Sequence, residues 1–461
     1  MNTLTITELL EHQRQFFDSG ATKSLGFRRE NLQKLKSLLI GHEAELCAAI
    51  ERDFRKSPFE TFETELGLLA MDIDTAARHL KKWSRKRKVP TNLINLPAKS
   101  YVLPEPLGTC LIIGAWNYPY QLSLSPLISC MAAGNTAILK PSEIAPNTSA
   151  AMARIINGAF PPGYLRVVEG GAGETTALLR HKFDKIFFTG SARVGRIVYR
   201  AAAENLTPVT LELGGKSPAI IHRDCGLRTS VKRLVWAKFL NAGQTCVAPD
   251  YVLVHDSVKD RFLALAQECI ERNNYSFDNG NYVQIVNEAN FKRLADLIDP
   301  DKVRYGGRID PDSRFIEPTI MTDVRPEDAV MQEEIFGPIM PVISFNSLDD
   351  AIAIIQRFAK PLALYLFSSD RRVKEQILNS VAFGGGIIND AVMHFSNTSL
   401  PFGGVGESGF GSHHGKAGFD AFSHHKSIME KPYGFETSLK YPPYTPAKLK
   451  WVKWLMGWRR K

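Results

Sequence analysis

Six cysteines, Cys47, Cys110, Cys130, Cys225, Cys246 and Cys269, are few for 461 residues, and no two form a C-x-x-C pair. A chain of this length needs no disulfide staples, so they read as reduced thiols of a reducing compartment, most of them small core residues. No apolar run is long enough to cross a bilayer. The first residues, Met1-Asn2-Thr3-Leu4-Thr5-Ile6, lack the basic region of a signal peptide, and the cytoplasm is the expected location. Internal repeats, low-complexity segments and recognisable nucleic-acid modules are also missing, so the formal net charge of +9 does not mark a nucleic-acid binder.

What is present is an ordinary globular composition, 44% hydrophobic and 23% charged, sufficient for two or three domains. Residues 1–80 read as helical. Ile6, Leu9, Leu10, Phe16 and Phe17 recur at helical spacing, as do Leu32, Leu35, Leu38 and Leu39. Pro90, Pro97, Pro104 and Pro106 then enforce an extended arm. From Leu107 short apolar runs alternate with helical stretches: Thr109–Ile113, Thr136–Lys140, Arg166–Val168 and Lys185–Phe188. Such β-α-β repetition predicts a parallel sheet covered on both faces, with ligands beyond the carboxyl ends of its strands. A second α/β region is expected from Val209, with strands at Pro218–Ile221, Tyr251–Val254 and Leu362–Phe367.

Six segments carry candidate chemistry. Asn241-Ala242-Gly243-Gln244-Thr245-Cys246 puts a cysteine after a glycine turn, and Leu211-Glu212-Leu213-Gly214-Gly215-Lys216 ends an apolar run on a carboxylate. By residue type alone, Cys246 is as readily a buried small hydrophobe and Glu212 a salt-bridge or capping residue. Ala115-Trp116-Asn117-Tyr118-Pro119 follows the first strand, where an Asn also suits a turn. Phe188-Thr189-Gly190-Ser191-Ala192-Arg193-Val194-Gly195 follows a strand and opens a helix, as a pyrophosphate site should. Its pattern is G-S-x-x-V-G rather than G-x-G-x-x-G, and alone it reads equally as a plain turn. Glu333-Glu334-Ile335-Phe336-Gly337-Pro338 sets two acids before a turn, and Lys140-Pro141-Ser142-Glu143 follows another strand. The pairs His413-His414 and His424-His425 fit no zinc spacing, so no metal is expected.

Taken along the chain the segments resemble the aldehyde dehydrogenase superfamily, in its motif order, over roughly residues 5 to 430. Chain length and starting point are similar to its class 3 branch, including bacterial members. The resemblance implies that Cys246 is the nucleophile, Glu212 the general base and the Asn117 amide an oxyanion donor beside the Cys246 backbone N–H. It places Trp116, Leu213, Gly190, Ser191, Ala192, Arg193, Val194 and Gly195 around the dinucleotide. Lys140 and Glu143 would hold the adenosine ribose, Glu334 the nicotinamide ribose, and Phe336 would pack beside the ring. Glu143 should repel a 2′-phosphate, which favours NAD while leaving NADP possible. The implied substrates are medium- and long-chain aliphatic, aromatic or polyene aldehydes, oxidised to acids by a homodimer.

The expected fold is α/β: a Rossmann-like NAD-binding domain (1–81 and 104–208), an α/β catalytic domain (209–389) and a small β oligomerisation arm (82–103 and 390–430). Alternatives are a CoA-acylating dehydrogenase, opposed by Glu212, and a catalytically idle structural protein, opposed by the presence of Cys246, Glu212 and Asn117 together. The remaining tail, 431–461, is basic and amphipathic. At helical spacing Lys450, Lys453, Arg460 and Lys461 share one face, flanked by Trp451, Trp454 and Trp458. That pattern suits peripheral contact with an anionic membrane, or a tail packed on the dimer or over the substrate entrance.

Overall fold

The alternating apolar runs build two parallel sheets in the computed structural model, which describes residues 4–458. The first has six strands in the order Gly409–Phe410, Val209–Glu212, Lys185–Thr189, Thr109–Ile113, Thr136–Lys140 and Leu165–Val167. All pair in parallel except Gly409–Phe410, which runs antiparallel to Val209–Glu212. Strand periodicity divides the side chains between two cores. Cys110, Ile112, Ala137 and Leu139 join helices Pro119–Ala133 and Pro146–Ala159 on one face. Leu111, Ile113 and Ile138 meet helices Ile6–Asp18 and Ala192–Glu204 on the other. Both faces are covered, which is why these strands are apolar without interruption.

The N-terminal helix begins with a capping box: the Thr5 hydroxyl accepts from the Glu8 backbone N–H, and the Glu8 carboxylate accepts from that of Thr5. It buries Leu9 and Leu10 against the first sheet.

The second sheet has seven strands: Val303–Tyr305, Thr319–Met321, Ile339–Phe345, Tyr251–His255, Pro218–Ile221, Ala363–Phe367 and Gly385–Ile388. Only Val303–Tyr305 is antiparallel to its neighbour. Ala219, Ile221, Val252 and Val254 pack on helices Leu227–Phe239 and Lys259–Asn273. A third, antiparallel sheet joins Arg87–Val89, Lys99–Pro106 and Ser423–Glu430.

Two expected boundaries move. The strand Val209–Glu212 belongs to the first sheet, beside Lys185–Thr189, so the second region begins beyond Glu212. Residues 390–430 are not one arm: Gly409–Phe410 edges the first sheet, and only Ser423–Glu430 reaches the antiparallel one. In both cases backbone pairing overrides what a composition change suggests.

The tail forms a helix, Pro446–Leu455, with Pro446 in its first turn and the Thr445 hydroxyl accepting from the Lys448 backbone N–H. It buries no residue. Trp451 is 58% exposed and Trp458 76%. Arg460 and Lys461, assigned to its basic face, lie outside the described residues. Among the described residues no helix is long and apolar enough to cross a membrane.

Candidate active site

Four of the predicted segments meet beyond the carboxyl ends of the first sheet's strands, where α/β folds bind ligands. Lys140, Thr189 and Glu212 each end a parallel strand. The Gly190 backbone N–H donates to the Glu212 carbonyl at 3.0 Å, stitching the glycine loop to the strand carrying the carboxylate. Ser191 caps the helix Ala192–Glu204, its hydroxyl accepting from the Val194 backbone N–H. A methyl group at Gly195 would press on Leu213, and one at Gly190 on the Phe188 ring. This 13-residue helix therefore presents its N-terminus close against the Glu212–Leu213 strand end. Unpaired N–H groups and the helix dipole suit a dinucleotide's pyrophosphate there. Lys140 is buried and donates to the Pro141 carbonyl at 2.7 Å. Its burial depresses the ammonium pKa, and half-exposed Glu143, 3.5 Å away, partly restores it. Arg193 points to solvent.

The cysteine loop follows the helix Leu227–Phe239 and turns through three consecutive left-handed residues, Asn241 (φ 54°), Ala242 (φ 50°) and Gly243 (φ 70°). Only glycine is at ease in such a conformation, and a methyl group at Gly243 would also strike the Gly337 carbonyl. Hydrogen bonds hold the strained turn. The Asn241 backbone N–H donates to Glu60 Oε1 at 2.9 Å. Asn241 Nδ2 donates to the carbonyls of Asn117 (2.9 Å) and Gln244 (3.1 Å). The Gln244 side chain donates to the Gln284 carbonyl and accepts from the Val286 N–H. Asn117 Nδ2 donates to the Gln244 carbonyl at 3.0 Å, leaving one amide hydrogen beside the cysteine loop. Tyr118 and Thr245 share a hydroxyl hydrogen bond of 2.6 Å.

Cys246 is partly open to an apolar pocket of about 560 Å³, whose walls include Tyr118, Leu122, Leu240, Phe395 and Phe402. Burial first, then the carboxylates of Glu334 and Glu212, push its thiol up to about 12; the backbone N–H groups of Cys246 and Val247 oppose the shift. Glu212 is 3% exposed, and neither carboxylate oxygen has a partner. Desolvation alone raises it well above the usual carboxylate range. Glu334 is raised to about 8 by burial and then Asp250, against the Gly215 N–H, Lys216 and Arg293. It lies over Gly214, where any side chain would collide with its carboxylate. The buried pair Lys216–Asp250 fixes this segment. Lys216 donates to the Val330 and Glu333 carbonyls, and Asp250 accepts from the Ile335 N–H. Phe336 (φ 50°) meets Trp116 edge-on at 5.3 Å.

The structure thus brings Glu212 and Glu334 close to Cys246 and Asn117 onto its loop, with Trp116, Phe336 and the Gly190–Gly195 loop beside them and Lys140–Glu143 on a neighbouring strand end; of the first four, Cys246 lines the apolar pocket. His413 and His414 line the same pocket as Cys246, their rings 4.2 Å apart. His424 and His425 lie on the antiparallel sheet. Sequence reasoning did not single out Glu60, Gln244, Thr245, Asp250 or the Tyr118 hydroxyl. Their roles come from contacts across 34 to 181 positions, such as Glu60 with Asn241, for which a single sequence holds no signal.

A thiol at an apolar pocket, with a desolvated carboxylate and an amide donor near it, is a combination that acyl transfer can use. Residues 4–428 match the Aldehyde dehydrogenase family, and the chain belongs to that family, an enzyme class that oxidises aldehydes with NAD(P). It is 46% identical to the 4,4′-diaponeurosporen-aldehyde dehydrogenase of Staphylococcus aureus, over 95% of this chain and 96% of that protein. It is 42% identical to aldehyde dehydrogenase family 3 member A2 of Mus musculus, over 96% and 92%. A solved structure described as the substrate-bound state of Staphylococcus aureus AldH superposes with a TM-score of 0.95, at 44% identity, covering 98% of this chain and 100% of that one.

Proposed function

We propose that this enzyme oxidises apolar aldehydes, of medium or long aliphatic, aromatic or polyene type, to carboxylic acids, with Cys246 as nucleophile and Glu212 as general base. The apolar pocket holding Cys246 beside an unpartnered buried carboxylate carries this reading. Glu212 takes the Cys246 thiol proton and passes it to water; the sulfur bonds to the aldehyde carbon, and the carbonyl oxygen becomes an oxyanion facing the Cys246 N–H and the remaining Asn117 amide hydrogen. The dinucleotide, when bound on the glycine loop, supplies the hydride acceptor, and Cys246 is left as a thioester. Glu212 then takes a proton from water as that water attacks the acyl carbon, and returns it to the departing sulfur, releasing the acid and the thiol. A buried carboxyl with a raised pKa suits that base, since its proton affinity lies nearer the working pH.

Lys140 and Glu143 are assigned the adenosine ribose, Glu334 the nicotinamide ribose and Phe336 the ring's edge. NAD is the preferred cofactor and NADP is tolerated, because Glu143 is half exposed and its repulsion of a 2′-phosphate is screened. NADH formation from decanal, with and without CoA, tests the reading. Turnover without CoA supports it, whereas strict CoA dependence shows acyl transfer to CoA instead.

The assembly assigned is a homodimer with a cytoplasmic address. The tail helix is proposed to rest on anionic membrane, supported by exposed Trp451, Trp454 and Trp458 beside Lys450 and Lys453. Deleting residues after Pro446 should weaken sedimentation with anionic vesicles while sparing short soluble aldehydes. A full-length protein that ignores such vesicles at low salt contradicts the assignment.

A further inference from the structure

The pocket around Cys246 adjoins a second, narrower cleft with room for about one water-sized group, and the two share Gln121, Phe395 and His414. Their chemistry differs. The first is walled mainly by aliphatic and aromatic side chains, whereas the second adds Asp72, Ser396 and Thr398, with exposed Met71 at its rim. Two polar groups that line it lack a partner among the described residues, and a carboxylate stands beside them. Gln121 is 5% exposed, and its side-chain Oε1 has no hydrogen bond. His414 is 6% exposed, and its Nδ1 is likewise unpaired. Asp72 accepts from the Ser125 hydroxyl at 2.7 Å through Oδ2, and the Gln121 side chain faces the same carboxylate. Native proteins leave few buried polar atoms unpaired, and their convergence on one cleft beside a nucleophile points to a ligand.

The groups also define the ligand. Burial lowers the His414 imidazole to about 4, so it is neutral and offers one donor and one acceptor. Phe402 stacks on it at 5.3 Å and fixes the ring. Gln121 offers an acceptor and donors, and Asp72 an acceptor. An anionic group would be repelled by Asp72. An ammonium would lose more hydration than a neutral group beside Leu68 and Phe395. A hydroxyl, one donor with two lone pairs, matches the set. We propose that this cleft is a polar subsite that takes a hydroxyl on the substrate's chain, remote from the reacting aldehyde carbon. The inference rests on the aldehyde reading of the Cys246 pocket and narrows its substrate class to hydroxylated apolar aldehydes.

The test compares kcat/KM of the whole enzyme, with NAD, for ω-hydroxyaldehydes of increasing chain length, the corresponding n-alkanals and ω-aminoaldehydes. At the chain length that reaches the cleft, the hydroxyl should raise kcat/KM over the alkanal by at least about tenfold, chiefly through a lower KM. In Gln121→Met and in Asp72→Ala that ratio should fall toward one; because it is an internal ratio, a general loss of activity in either variant does not mimic the effect. No gain at any length overturns the proposal, as does a gain only with the amine or a gain undiminished in both variants. An enzyme that oxidises alkanals but ignores the hydroxyl loses only the subsite. One that forms no NADH from any aldehyde loses the subsite together with the reading beneath it.

Discussion

Two sets of polar groups surround Cys246, the proposed nucleophile, and they are treated oppositely. The backbone and amides of the loop from Asn241 to Thr245 are bonded in almost every direction, to Asn117, Gln284, Val286 and Glu60. Across the site, both oxygens of Glu212 and the Nδ1 atoms of His413 and His414 have no partner. The first set fixes geometry: left-handed Asn241 and Ala242 hold their turn only because neighbours over-determine it. The second set is kept for species that arrive and leave. A base already bonded to a donor would have an ordinary pKa and a blocked lone pair. Rigid support beneath unpaired reactive atoms is the arrangement a catalytic site requires.

The largest effect should come from removing the supported atom. Cys246→Ala should lower NADH formation by at least about a thousandfold while dinucleotide binding, measured by calorimetry, is kept. Loss of both together would mean that Cys246 shapes the site rather than reacts.

Breaking the support should have a smaller effect. Gly243→Ala places a side chain at φ 70° and against the Gly337 carbonyl, and should destabilise the fold by about 3 kcal/mol in a denaturant titration. Unchanged stability would show that the loop is softer than its bonds indicate. The smallest effect is expected at Glu143, half exposed and so largely screened. Glu143→Gln should raise the NADP-to-NAD ratio of kcat/KM by about threefold; an unchanged ratio would show that Glu143 does not read the 2′-position.

The same contrast explains what was legible in the sequence. Strands such as Thr109–Ile113 and Tyr251–His255 were visible because burial on both faces demands an uninterrupted apolar run. The segments holding Cys246, Glu212, Asn117 and Glu334 were visible because glycines and prolines bracket them. The supports were not. In the sequence Glu60 resembles any solvated acid of a short helix; its burial against the Asn241 N–H is seen only in the fold. Val209–Glu212 looked like the start of a new region because only its pairing with Lys185–Thr189 shows which sheet it completes. The unpaired nitrogens of His413 and His414 and their shared lining of the Cys246 pocket follow from packing alone.

The pairing of a fixed thiol with a free base is tested most directly by mass spectrometry of a single turnover. Glu212→Gln with NAD and decanal should give a burst of NADH near one equivalent per site. An acyl adduct should then persist on Cys246, because deacylation slows by about a hundredfold or more. In the parent, hydrolysis of that adduct should accelerate as pH rises above the ordinary carboxylate range: the raised Glu212 pKa keeps the acid protonated below it, and only the deprotonated form acts as base. The variant should lose that limb. A variant that hydrolyses its thioester as fast as the parent, with the same pH profile, would contradict the account.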